Sequence, residues 1–174
     1  MPEKKQYKVL LLEDSFEDAE LVQRRLGRTG LDLNVRHVAT RADFLESLEV
    51  FSPDIIISDY KLPDLDGLSA LRLARQKNPQ IPFIMVSGFI DDKFASETLE
   101  AGVTDFLLKD RLERLGSAVM RAIREAEQRR IEEEYAKREK QLEVENEEMQ
   151  ARESRIKQLK RELLSLRGEL RNFE

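Results

Sequence analysis

The sequence predicts an α/β fold: a doubly wound five-stranded parallel sheet with a long C-terminal α-helical coiled coil. Three observations carry that prediction. Short β-branched, apolar runs alternate with helix-length segments five times within about 120 residues, and right-handed crossovers of that kind return each strand to one sheet. The run Ile55-Ile56-Ile57 shows no polar alternation, as expected of a strand covered on both faces. From Arg111 to Phe173 there is no proline, the only glycines are Gly116 and Gly168, and apolar residues recur every seven positions.

Composition sets the outer limits. A chain of 174 residues with 40% hydrophobic content can build one core of ordinary size with chain to spare. Charged residues make up 37% and crowd toward the C-terminus, which implies a globular front and a solvated helical rear. The net charge of −5 argues against a nucleic-acid-binding surface. With no cysteine, disulfides, thiolate metal sites and a cysteine nucleophile are excluded. Met1-Pro2-Glu3-Lys4-Lys5 leads directly into a short apolar strand, too short for a signal peptide or a membrane span, so a cytoplasmic protein without a membrane partner is expected.

Taken in order, Lys8 to Leu12 is a buried strand closed by Glu13-Asp14. Ser15 to Leu26 is a helix capped by Asp14 or Ser15, with acids in its first turn, Arg24 and Arg25 in its last, and Gly27 and Gly30 beyond it. Leu33 to Ala39 is a second strand, and Thr40-Arg41-Ala42-Asp43 resembles a capping box opening a helix through Val50. The Ile55–Asp59 strand precedes a Pro/Asp/Gly-rich loop and a helix from about Leu68 to Lys77, stopped by Asn78-Pro79. Ile81 to Val86 is a fourth strand ending in Ser87-Gly88, Asp92 to Ala101 a helix ended by Gly102, and Asp105 to Lys109 a fifth strand ending on a base.

The strand ends carry complementary chemistry. Glu13 and Asp14 follow the first strand, Asp59 the third, Ser87 the fourth and Lys109 the fifth. In a parallel sheet these ends share one edge, where ligands gather. Carboxylates brought together there raise one another's pKa unless a cation sits among them, and oxygen ligands without histidine or cysteine suit Mg²⁺. Lys109 supplies a point charge for a phosphate oxygen and Ser87 a neutral donor. The chemistry this implies is attack of the Asp59 carboxylate on a phosphoryl group.

Glu13-Asp14, Asp59 with Pro63 and Gly67 downstream, Ser87-Gly88, Phe106 and Lys109 together resemble the receiver (response regulator) domain family, over roughly residues 7 to 127. The resemblance implies a flavodoxin-like sheet and two-component signalling without a conventional enzymatic turnover. It implies Asp59 as phosphoacceptor, with Asp14, Asp59 and the Lys61 backbone carbonyl on Mg²⁺ and Glu13 acting through a metal-bound water. Ser87 and Lys109 would contact the phosphoryl group, and Phe106 would change rotamer on activation. The phosphoryl donor would be a cognate histidine kinase or phosphotransfer protein. Two features depart from the commoner pattern: Glu-Asp stands where Asp-Asp is usual, and Asp110 stands where a cis proline usually follows the lysine. A non-proline cis bond costs about 2.5–4 kcal/mol, so a trans bond and a differently shaped loop are expected. Lone His37, without partner ligands, reads as structural; Tyr60, Phe89 and Phe94 read as packing or loop residues, although Lys61 and Phe89 stand where the family controls water access.

The rear is expected to dimerise. Tyr135, Leu142, Met149, Ile156, Leu163 and Leu170 form one seam; Ile131, Arg138, Glu145, Arg152, Leu159, Leu166 and Phe173 form the other. Residues 1–127 are read as the receiver and 128–174 as a coiled-coil helix that makes a parallel homodimer, weak at its polar middle, with a stutter between Ile123 and Ile131. Output then passes to a partner or to a domain outside this sequence. Two other classes are considered. A haloacid-dehalogenase-like phosphotransferase expects a second aspartate two residues after the nucleophile, where Lys61 stands; a vestigial, non-catalytic scaffold does not explain the intact acidic cluster with Lys109.

Overall fold

The computed structural model describes the backbone of residues 5–89 and 92–171 and the side chains of 5–89 and 94–168. Five strands, β1 (Gln6–Leu12), β2 (Asp32–Val38), β3 (Ile55–Asp59), β4 (Phe83–Ser87) and β5 (Asp105–Leu108), pair in parallel in the order β2-β1-β3-β4-β5. Helices α1 (Phe16–Leu26), α2 (Arg41–Val50), α3 (Gly67–Lys77), α4 (Asp92–Glu100) and α5 (Leu115–Arg171) follow the strands in turn. This is the doubly wound sheet that the strand-helix alternation predicts. The strand order reverses between β1 and β3, so a crevice opens at their carboxyl ends.

Successive side chains on a strand point to opposite faces, and both faces are covered. Val9, Leu11, Ile55 and Ile57 pack with Val22 and Leu26 of α1 and with Val119 and Ile123 of α5. Leu10, Leu12 and Ile56 face the other way, against Phe44 of α2, Leu71 of α3 and Phe94 of α4. Ile55, Ile56 and Ile57 are fully buried. A strand enclosed in this way has room for a polar side chain only at its ends, and each fully buried Ile or Leu contributes about 1.5–3 kcal/mol.

Among the described residues, three helices start on side-chain caps. Ser15 accepts the Asp18 N–H, Thr40 the Asp43 N–H and Asp66 the Ser69 N–H. At Thr40 the box closes through the hydroxyl, which donates to Asp43 Oδ2 at 2.7 Å. Asp66 also accepts the Ser69 hydroxyl at 2.7 Å; burial raises its pKa, but the bonds from Ser69 outweigh that and hold it below the ordinary range. Farther along α3, Arg75 donates to the carbonyls of Ala101, at 3.0 Å, and Gly102, where α4 ends. Gly102 has φ of +70°, a conformation that costs a side chain dearly.

Several boundaries differ from those the sequence suggests. β1 begins at Gln6 because its ladder with β2 starts at Gln6 opposite Asp32, upstream of its contact with β3. β2 runs from Asp32 to Val38 rather than from Leu33 to Ala39. β4 begins at Phe83, since Pro82 has no N–H to donate, though its carbonyl accepts Ile56 N–H at 3.0 Å. β5 stops at Leu108, opposite Ser87, so Lys109 is not a strand residue; it opens a 3-10 helix spanning Lys109–Arg114. Arg111, at φ −122° and ψ 35°, breaks that turn before α5 begins. No peptide bond among the described residues is cis, so the bond between Lys109 and Asp110 is trans, as Asp110 implies.

The chain divides into two compact units after Gln128. In the first, Leu115, Ala118, Val119, Ala122 and Ile123 of α5 are core residues, and Glu127 accepts hydrogen bonds from Lys5 and, at 3.1 Å, from the Tyr7 hydroxyl. In the second, the described residues of 129–168 are all exposed, including Ile131, Tyr135, Leu142, Met149, Ile156, Leu159, Leu163 and Leu166. The Leu170 side chain and Phe173, the last members of the two expected seams, lie outside the described residues. No described helix is long and apolar enough to cross a membrane.

Gly67 opens α3 with its N–H on the Tyr60 carbonyl at 3.0 Å. A Cβ there would stand 2.8 Å from the Asp59 carbonyl oxygen and 3.1 Å from Tyr60 Cα, both backbone atoms that cannot swing aside. Gly67→Ala is expected to cost about 1–3 kcal/mol, as overpacking does. Urea unfolding of the variant and the parent measures it.

Candidate functional site

Each functional side chain stands where a buried strand runs out. Glu13 follows β1, and its N–H extends the ladder to the Val38 carbonyl at 3.0 Å. Its side chain is buried, whereas neighbouring Asp14 is exposed. Asp59 is the last residue of β3, and Tyr60 N–H continues the pairing to the Val86 carbonyl at 2.9 Å, so the Asp59 backbone is held against β4. Carboxylate oxygens of Glu13, Asp14 and Asp59 all lie within 4.8 Å of one another.

Lys109 reaches into this cluster from the far side of β4. Its Nζ lies 2.9 Å from Glu13 Oε2, 3.0 Å from Asp59 Oδ2 and 2.6 Å from Asp18 Oδ2. An ammonium has three N–H donors, and three carboxylates take them. Burial lowers the Lys109 pKa, but bonds to Asp18, Glu13 and Asp59 outweigh it and hold the group above its ordinary 10.5. It therefore stays charged at neutral pH, and its stabilising contribution is lost only as pH climbs beyond that range. Glu13 shifts upward too, first because it is buried and then because Asp59 is near, against bonds from Lys109 and the Ser15 N–H.

The sequence-based site residues are partly assembled. Glu13, Asp14, Asp59 and Lys109 come together. Ser87 ends β4 at the same edge, but its hydroxyl donates to the Phe89 carbonyl at 2.6 Å and accepts the Phe89 N–H at 3.2 Å, so it faces its own loop. Lys61 approaches through its backbone, its N–H 3.4 Å from Asp59 Oδ1. Phe106 is not among the acids. It is half-buried on β5 and stacks edge-on to Phe94 at 5.9 Å, and Phe94 stacks edge-on to Tyr60 at 4.6 Å. The Tyr60 hydroxyl in turn donates to Glu97 Oε2 of α4 at 2.9 Å. An aromatic row thus runs from the residue after Asp59 to Phe106. His37 is half-buried with Nε2 2.7 Å from the Glu13 carbonyl, a structural place. Phe94 is core, Tyr60 half-buried, and Phe89, at 68% exposure, a loop residue.

Asp18 is the site residue that sequence reasoning passes over. An acid in the first turn of a helix is explained by the helix dipole alone. Its spacing of four from Asp14 was the signal available.

The donor set suits a hard divalent cation: among the described residues it consists of three carboxylates, that of Asp14 exposed, and neither histidine nor cysteine joins them. Without such a cation, ionised Glu13 is a burden at neutral pH. Its raised pKa means the folded state favours the proton, so the penalty is absent below about 4.5 and grows as pH rises through the folded pKa. Glu13→Gln is expected to stabilise the cation-free protein at pH 7, with the gain fading as pH falls toward 4.5. Urea midpoints measured across that range test it, and a gain that widens on acidification would contradict the assignment.

Comparison with known proteins agrees with this geometry. The sequence profile of the response regulator receiver domain matches residues 9–120. The luminescence regulatory protein LuxO of Vibrio campbellii is 34% identical over 117 residues, 67% of this chain and 25% of that protein. The response regulator protein PilR of Pseudomonas aeruginosa is 34% identical over 118 residues, 67% of this chain and 26% of that one. The chain thus spans about a quarter of the length of such relatives. Among solved structures, the signal receiver domain of a LuxO repressor protein from Vibrio parahaemolyticus superposes with a TM-score of 0.66 at 27% identity, covering 73% of this chain and 97% of that one. The receiver domain of a signal transduction histidine kinase from Syntrophus aciditrophicus gives 0.59 at 30% identity, covering 67% and 89%. With a profile match across most of the chain, two relatives a third identical and the matching sheet, the chain belongs to the response regulator receiver domain family and works in two-component signalling.

Proposed function

We propose that Asp59 accepts a phosphoryl group from a histidine kinase or phosphotransfer protein, and that the resulting acyl phosphate is the signal the chain passes on. One observation carries the reading: the Asp59 carboxylate stands at the carboxyl end of the central strand, in a three-acid cluster and 3.0 Å from the Lys109 ammonium. The Asp59 oxygen forms a bond to phosphorus while the bond from phosphorus to the donor breaks, and that bond's electron pair leaves with the donor group. Lys109 remains an ammonium and offsets charge on the phosphoryl oxygens. Glu13, Asp14, Asp59 and the Lys61 carbonyl would hold Mg²⁺, which supplies further charge compensation at the phosphoryl oxygens. Ser87 contacts the phosphoryl group after leaving its bond to the Phe89 carbonyl, and Phe106 answers that movement. This last pair of roles rests on the resemblance to receivers and on their positions along β4 and β5.

Incubated with Mg²⁺ and a small acyl phosphate, the protein is expected to gain the mass of one phosphoryl group, mapped to Asp59. Asp59→Asn is expected to abolish the gain while leaving the fold intact. A phosphoryl group found elsewhere, or none on the parent protein, rejects the reading.

The receiver, 1–127, is followed in this reading by a dimerising helix, 128–174. What supports it is the heptad of exposed apolar residues, with Ile156, Leu159, Leu163 and Leu166 between 43% and 65% exposed in the single chain. Water-exposed side chains spaced in this way stabilise a pair of helices by their burial. The double variant Ile156→Lys, Leu163→Lys in the full chain is expected to sediment as a monomer where the parent sediments as a dimer. A parent that is monomeric at micromolar concentration would remove the proposal.

A further inference from the structure

We propose that Asp18 is a positioning residue for phosphoryl transfer, holding the Lys109 ammonium beside Asp59 before the phosphoryl group arrives. The inference rests on the reading of Asp59 as acceptor. Lys109 has a four-carbon stem, and its ammonium is useful only if the rotamer that reaches the edge of the sheet is populated. Three carboxylates select that rotamer, and the contact to Asp18, at 2.6 Å, is shorter than those to Glu13 at 2.9 Å and Asp59 at 3.0 Å.

The three partners are not equivalent. Asp59 is consumed as acceptor, and Glu13 belongs to the cluster whose oxygens converge with those of Asp14. Asp18 stands outside that cluster, on α1, and is the partner of Lys109 that remains a free carboxylate throughout the reaction. It is well placed to do so. Ser15 Oγ accepts its N–H at 3.3 Å, which fixes its backbone at the third position of the helix.

A purely structural role explains less. The side chain is 38% exposed, and a pair that open to solvent contributes little to folding. Glu17 already supplies an acid to the first turn of α1. In the reaction itself the Asp59 oxygen bonds to phosphorus as the bond from phosphorus to the donor breaks and its electron pair leaves with the donor group. No proton moves, and Asp18 touches neither phosphorus nor donor. It acts through Lys109 alone.

That last statement is what a double-mutant comparison tests. The full chain with Mg²⁺ and acetyl phosphate is assayed for initial rate against donor concentration, as the parent, Asp18→Asn, Asp18→Glu, Lys109→Met and the Asp18→Asn, Lys109→Met pair. Asp18→Asn is expected to lower the saturating rate on the order of tenfold, as loss of orientation does, with little change in the half-saturating donor concentration. Asp18→Glu is expected to recover part of the loss. In the Lys109→Met background, Asp18→Asn is expected to change the rate less than twofold. An unchanged rate for Asp18→Asn in the parent, or the same fold loss in both backgrounds, overturns the proposal. Urea midpoints of the same proteins separate it from the reading beneath it. Non-additive shifts with an inert parent mean that the pair exists and the phosphoryl reading is wrong; additive shifts with an active parent overturn the pairing itself.

Discussion

One ammonium among carboxylates sets the terms for the rest of this fold. Glu13, Asp18 and Asp59 sit within 3.0 Å of Lys109 Nζ, and the two buried ones, Glu13 and Asp59, have this ammonium as a charge partner at the sheet edge. The arrangement demands much of the chain. The acids come from β1, α1 and β3, and the base comes from beyond β5, two strands away, so β4 has to lie between β3 and β5 with its carboxyl end level with theirs. The order β2-β1-β3-β4-β5 meets that demand. It also leaves β3, with Asp59 at its tip, enclosed by strands on both sides and helices on both faces.

That enclosure explains why so much of the fold was legible in the sequence. A strand buried on both faces loses its polar alternation, so Ile55-Ile56-Ile57 and the run from Val9 to Leu12 announce themselves, and polar residues that break such a run mark the edge. Glu13, Asp14, Asp59 and Lys109 were readable for that reason. The features that were not readable depend on reach rather than on pattern. Asp18 has the look of an ordinary first-turn acid until Lys109 is seen against it. The sequence pattern carries the fifth strand one residue too far, to Lys109, because where a ladder ends depends on the partner strand: Ser87 opposite Leu108 is the last pair. The hydrogen bonds of Ser87 to Phe89 and the stack from Tyr60 through Phe94 to Phe106 are also geometry that no local spacing encodes.

The acid cluster has a cost in stability. Buried Glu13 resists ionisation, and Lys109, held in its charged form by three carboxylates, offsets only part of that. The apolar layers on either side of the sheet offset this. Phe44, Phe83, Leu10, Leu11 and the three isoleucines of β3 are fully enclosed, and they surround the segment that carries the acids. The chain thus concentrates its packing under the edge where its electrostatics are least settled.

Arg75 gives α4 a fixed end. Its guanidinium grips the carbonyls of Ala101 and Gly102, where α4 stops, and the left-handed turn at Gly102 brings that backbone close enough to be gripped. A helix pinned at its C-terminal end can yield without sliding. Any movement of α4 that preserves the grip is a swing about that end, small near Gly102 and growing with distance toward the start of the helix. Phe94, buried against Tyr60 and Phe106, lies on the long side of that lever, and Glu97 lies part-way along it. Tyr60, the residue after Asp59, thus meets α4 through Phe94, near the end opposite the one that Arg75 holds.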